Sequence, residues 1–175
     1  MQRYDVYESA LQVVPPATQD ETPSYGSARI AQGLCHMHAL TQSLCRQSIY
    51  CHWQAMDPEL TNLHSLFEQQ YQSLRIASDI IAARIEALGY ALPNTTSEAV
   101  WGTDPDDARP LSEMISRIVR NHQACAREAR KVLNIADLSG DTLSAHLSSQ
   151  RLTVHEKAAM LLMTIAPTAI TRSAG

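Results

Sequence analysis

The chain has 175 residues, enough for one domain and not enough to demand two. Apolar residues make up 45% and charged residues 18%, a balance that excludes a disordered chain. With a single Phe, the core must be filled by Leu, Ile, Ala and Met, and this favours helices over a β-sandwich. A formal charge of −4 with no basic tract argues against nucleic acid as a partner.

Residues 1–26 carry Pro15, Pro16, Pro23 and Gly26 among polar residues and read as an N-terminal arm. The start lacks a basic segment followed by an apolar one, and no run is apolar enough to span a bilayer, so a cytoplasmic location is expected. Cys35, Cys45, Cys51 and Cys125 show neither C-x-x-C nor zinc-finger spacing and read as free thiols in a reducing compartment.

The first helix is predicted from about Ser27 to Trp53, with Ile30, Leu34, Met37, Leu40, Leu44 and Cys51 on its apolar stripe. Met56-Asp57-Pro58-Glu59 breaks the pattern. The second helix runs from about Pro58 to Leu88 on Leu63, Phe67, Leu74, Ala77, Ile81, Ile85 and Leu88, with Gly89 placed to end it. Residues 90–110 form a long connection in which Ser97–Trp101 suits one short helix.

The third helix starts near Pro110 and buries Leu111, Met114, Ile115, Ile118, Cys125, Val132 and Ala136. Gly140-Asp141 ends it and caps the next. The fourth helix carries Leu143, Leu147, Val154, Ala158, Leu161 and Ile165 and is expected to stop before Pro167. The expected fold is all-α: a four-helix bundle over 27–167, with a short extra helix in the connection between helices two and three and a C-terminal tail over 168–175.

The second helix has a polar face of His64, Glu68, Tyr71, Arg75, Asp79, Ala83 and Glu86. His64 and Glu68 are one turn apart and project to one spot, a pairing suited to iron, zinc or manganese. His52 closes the preceding helix, and as the chain turns straight into the second it can lie near His64 or near the facing helix. Such a face is also what an ordinary solvated helix shows. Asp79 lies fifteen residues beyond His64, roughly 22 Å along the axis, so one ion cannot bind both within one chain. Two copies packed antiparallel about a two-fold axis would bring His64 of one to Asp79 of the other. His122 lies near a core stripe and reads as a buried, hydrogen-bonded histidine.

Cys51-His-Trp53, then Leu63-His-Ser-Leu-Phe-Glu-Gln-Gln-Tyr71, then Asp79-Ile-Ile-Ala-Ala-Arg-Ile-Glu-Ala-Leu-Gly89 resemble the core of the Dps mini-ferritins. That family shows H-W, L-H-x-x-F-E-x-x-Y and D-x-x-A-E-R-I-x-x-L-G in the same order. Gly140-Asp141 and His155-Glu-Lys-Ala-Ala-Met-Leu-Leu162 are similar to its C-terminal motif, and the resemblance covers about residues 30–165. It implies a ferritin-like bundle in a homo-oligomeric, dodecameric shell that oxidises ferrous iron, preferably with hydrogen peroxide, and stores ferric mineral. It implies metal ligands His52, His64 and Glu68 from one subunit and Asp79 from its partner, with Trp53 beside the site as a sink for oxidising equivalents. Three positions depart from the pattern. Ala83 stands where the family has its second carboxylate, which leaves a weakened ferroxidase, a zinc or single-iron site, or a non-catalytic shell subunit as alternatives. His146 falls where the family often has a pore acid, with Asp137 and Asp141 nearby, and Met160 replaces a Trp. The family's other role, condensing DNA, often uses lysine-rich tails; residues 1–26 and those from Pro167 on are not lysine-rich, so DNA binding is expected to be weak or absent, with a DNA-condensing protein as a further alternative.

Overall fold

The structure, a computed structural model, describes residues 25–92 and 110–172, the last seven as backbone only. Four long helices account for nearly all of them: α1 (Tyr25–Gln54), α2 (Thr61–Ala87), α3 (Leu111–Ser139) and α4 (Thr142–Arg172). A single 3-10 turn, Pro58–Leu60, leads into α2. The arm at 1–24 and the short helix expected at Ser97–Trp101 lie outside the described residues.

α1 packs along α2 and α3 along α4, and contact between α1 and α3 joins the two hairpins. The expected stripes of the first three helices face inward. Ile30, Leu34, Met37, Leu44 and Cys51 of α1 are buried, as are Leu63, Phe67, Leu74, Ala77, Ile81 and Ile85 of α2. Met114, Ile115, Ile118, Cys125, Val132 and Ala136 of α3 complete them. Gly33 allows α1 to approach α3 closely, because a Cβ there would collide with Val132 Cγ2.

Both expected glycine stops are present. Gly89 and Gly140 take φ of 83° and 72°, the left-handed region that a side chain disfavours. Past each, the chain donates back to the helix it leaves: Tyr90 N–H to Ile85 O at 3.2 Å and Asp141 N–H to Ala136 O at 2.9 Å. Pro110 stands just outside α3, at its N-cap, with ψ 141°.

α4 departs from its expected stripe. Leu143, Val154 and Leu161 are exposed, while Ser144, Leu147, Ser148, His155, Ala159 and Leu162 are buried. The helix is apolar on more than one side, and small and polar residues take the core face. His155 fits there because His122 meets it from α3, their Nδ1 atoms 2.9 Å apart. α4 also runs through Pro167 to Arg172. A proline removes one amide bond, here to the carbonyl of Met163, on a turn whose side chain is half-exposed.

Asp141 has defined partners at the α3–α4 corner. Its Oδ1 accepts from Ser144 N–H at 3.0 Å, capping α4, and from Arg84 Nη2 at 2.7 Å. Arg84 Nε donates to Ser144 Oγ at 2.9 Å, so α2 is fastened to the α3–α4 corner. Burial pushes the Asp141 carboxyl up, but the bonds from Arg84 and Ser144 outweigh it and hold the group below its usual range.

Candidate metal centre

α1 and α2 run antiparallel, so the end of one meets the start of the other. There His52 and His64 stack with ring centroids 3.9 Å apart and planes 30° apart. Each holds the other's main chain: His52 Nδ1–H donates to His64 O, and His64 Nδ1–H donates to His52 O, both at 3.1 Å. A carbonyl can only accept, so both protons sit on Nδ1. In the neutral rings each Nε2 then keeps its lone pair. Two half-buried imidazoles with matched tautomers and held orientation could act as metal donors through Nε2.

The other expected ligands are on α2 but not at this pair. Glu68 is exposed, one turn beyond His64, and its Oε1 accepts from Gln72 Nε2 at 3.5 Å. Asp79 is exposed near the far end of α2, and Ala83 is exposed one turn further on. Among the described residues no three His, Cys, Asp or Glu side chains converge within one chain. The expected ligands therefore fall into two groups, His52 of α1 with His64 and Glu68 of α2 at one end of the hairpin and Asp79 further along α2, as the rise per residue requires.

Trp53 follows His52 and is 53% exposed, its ring edge-on to Tyr50 at 5.4 Å and 83°. Ile76 and Ile80, one turn apart on α2 and flanking Asp79, are 59% and 49% exposed. The two make an apolar stretch on the outer face of α2.

His122 and His155 are brought together elsewhere, each 1% exposed in the bundle interior. Burial pulls His122 down to about 4. Burial, with His122 and Arg151 adding to it, pulls His155 down to about 3. The expectation of a buried, hydrogen-bonded His122 holds. His155 as its partner was missed, because two residues 33 apart on different helices leave no spacing signal.

The thiols are covered to different degrees. Cys35, Cys51 and Cys125 are buried, and Cys45 lies in the α1–α2 seam with Sγ 3.7 Å from Tyr71 O. Burial pushes Cys35 up to about 11 and, with the Glu128 charge adding to it, Cys125 up to about 12.

Four helices in this packing, with metal-type donors on the facing α1 and α2, define a class, and the sequence agrees with it. A profile of the ferritin-like domain matches residues 34–166, and the chain belongs to that family. Among solved structures it is similar to antigen TpF1 from Treponema pallidum, with a TM-score of 0.72 and 22% identity, over 87% of this chain and 99% of that one. It is similar to the Dps homologue of Halobacterium salinarum, with a TM-score of 0.74 and 18% identity over 86% and 90%. The Dps protein of Vibrio cholerae O1, described as a member of a broad superfamily of ferritin-like diiron-carboxylate proteins, gives 0.71 and 20% over 83% and 98%. An uncharacterized low temperature-induced protein of Nostoc sp., all0458, is 28% identical over 120 residues. That match covers 63% of this chain and 65% of the relative's length. No described helix is long and apolar enough to cross a membrane.

Proposed function

We propose that this chain is a Dps-like mini-ferritin subunit. Twelve copies form a hollow shell that takes up ferrous iron, oxidises it with hydrogen peroxide and stores the ferric mineral, protecting a cytoplasm from oxidative stress. The observation that carries the reading is the locked His52–His64 pair, with Asp79 on the same helix fifteen residues away. The exposed Ile76 and Ile80 beside Asp79 supply an apolar face for a second copy of α2.

In the two-fold dimer, His52, His64 and Glu68 of one subunit face Asp79 of its partner. Iron is the substrate. Two imidazole nitrogens and two carboxylates fit a first-row dication and leave positions open for the oxidant. The backbone carbonyls take the Nδ1–H of both imidazoles, so in the neutral rings both Nε2 atoms carry the lone pair that an ion needs. Two ferrous ions each give up one electron, and peroxide breaks its O–O bond to yield two hydroxides. The carboxylates favour the more highly charged product. Trp53 and Tyr50, oxidisable and edge to face at the rim, form the sink for stray oxidising equivalents.

A second reading rests on Ala83. Without a carboxylate there the site is one negative charge poorer, so a zinc or single-iron site with impaired oxidation, in a shell that is mainly structural, is the alternative. Two measurements test the proposal. Light scattering should show a large assembly, and a stable monomer would end it. Peroxide-driven oxidation of ferrous iron should fall sharply in a His64→Ala, Asp79→Ala variant, and equal rates would remove the enzyme.

A further inference from the structure

The α1–α2 seam carries a third histidine. His38, Cys45 and His52 are spaced by sevens and so share the face of α1 that meets α2. Contacts along the seam fix its register: His52 with His64, Ser48 Oγ with Gln70 Oε1 at 3.2 Å, Cys45 Sγ with Tyr71 O, and Ser27 Oγ with Tyr90 Oη at 3.4 Å. His38 lies seven residues before Cys45 and Asp79 eight after Tyr71, so the antiparallel register sets them at the same level of the hairpin, His38 in the seam and Asp79 on the exposed side of α2. The Asp79 carboxylate is near enough for its field to reach both His38 and Cys45.

We infer that His38 is a further metal ligand of the shared site, placed beside Asp79 where Ala83 leaves a carboxylate missing. The inference rests on the two-fold reading above. His52 and His64 of one subunit then meet Asp79 and His38 of the partner, giving three imidazoles and two carboxylates with Glu68. The His38 ring is 8% exposed, and its one hydrogen bond among the described residues joins Nε2 to Gln42 Nε2 at 3.2 Å. A 180° turn of the Gln42 amide presents its oxygen to Nε2–H and leaves Nδ1 with a lone pair for a metal. Exchanging an anionic ligand for a neutral imidazole keeps the number of donors and lowers the negative charge. Compared with a site holding a second partner carboxylate, this one takes borderline dications such as zinc and cobalt more readily.

The test is titration of the assembled, metal-stripped protein with zinc by calorimetry, and with cobalt(II) by its visible absorption. His38→Ala and His38→Gln should each weaken zinc binding by about tenfold or more and alter the cobalt spectrum. The Gln variant keeps a polar side chain filling the seam, so it decides the matter if the Ala variant fails to assemble. Unchanged zinc affinity and cobalt spectrum in an assembled His38→Gln protein overturn the inference. His64→Ala separates the two readings. If it alone loses binding, the shared site stands without His38. If it binds as the parent does, the shared site itself is lost.

Discussion

His122 and His155 face each other across α3 and α4, Nδ1 to Nδ1 at 2.9 Å, and one must donate while the other accepts. The bond therefore needs at least one neutral ring. Both groups sit below the ordinary histidine value of 6.5, at about 4 and about 3. The unfolded chain takes up their protons as pH falls through 6.5, and the folded chain does not until much lower. Stability from this pair is complete above pH 6.5 and is lost progressively as pH falls toward 4 and then 3. The loss should reach on the order of a few kcal/mol. Thermal melts across that range should show a shallower slope for a His122→Leu, His155→Leu variant. An unchanged slope would place the acid sensitivity elsewhere.

Ala83→Glu places a carboxylate one turn beyond Asp79, on an exposed stretch of α2. Iron affinity and the peroxide-driven rate should rise together, by about tenfold. In a His64→Ala background most of the gain should vanish, because both ligands act on one ion. Stopped-flow oxidation of the single and double variants measures this. A destabilised interface with no faster oxidation would mean that an uncompensated carboxylate had been buried there.

Asp141→Ala removes the cap of α4 and leaves the Arg84 guanidinium without its carboxylate. The expected loss is roughly 2 kcal/mol, a fall in Tm of about 4–8 °C. Asp141→Asn keeps a capping oxygen and should lose less. Equal melts for Asp141→Ala and the parent would show that the corner contributes nothing.

Binding to DNA should be weak or absent at neutral pH. Residues 1–26 hold Arg3 as the only Lys or Arg against Asp5, Glu8, Asp20 and Glu21, and Arg172 is the only one from Pro167 onward. The net charge is negative, so phosphate repulsion dominates. Tight complexes at low salt in a gel shift, dissolving as salt is added, would contradict this.

Apolar spacing made α1, α2 and α3 legible because their core faces are also their most apolar faces. It misplaced α4 because Leu143, Val154 and Leu161 point outward while Ser148 and His155 point in. No periodicity reveals that a polar residue has found a partner on another helix. Helix rise alone was enough to separate His64 from Asp79. What the sequence could not show is the exchange of hydrogen bonds between His52 and His64, which exists only once two helix ends are set against each other. His38 was hidden for the same reason: its sevenfold spacing to His52 gains meaning only when α2 supplies the register.

The thiols bring a different matter into view, that of self-damage. Under the proposed function, peroxide would be handled beside four cysteines that it could oxidise. The reactive species is the thiolate. With Cys35 raised to about 11, only about one thiol in ten thousand is ionised at pH 7. Cys125 is held higher still, and Cys45, nearest the seam, is raised by burial against the pull of Arg75. Burial thus makes Cys35, Cys45 and Cys125 poor competitors for an oxidant, so that in the proposed reaction ferrous iron is the easier electron source.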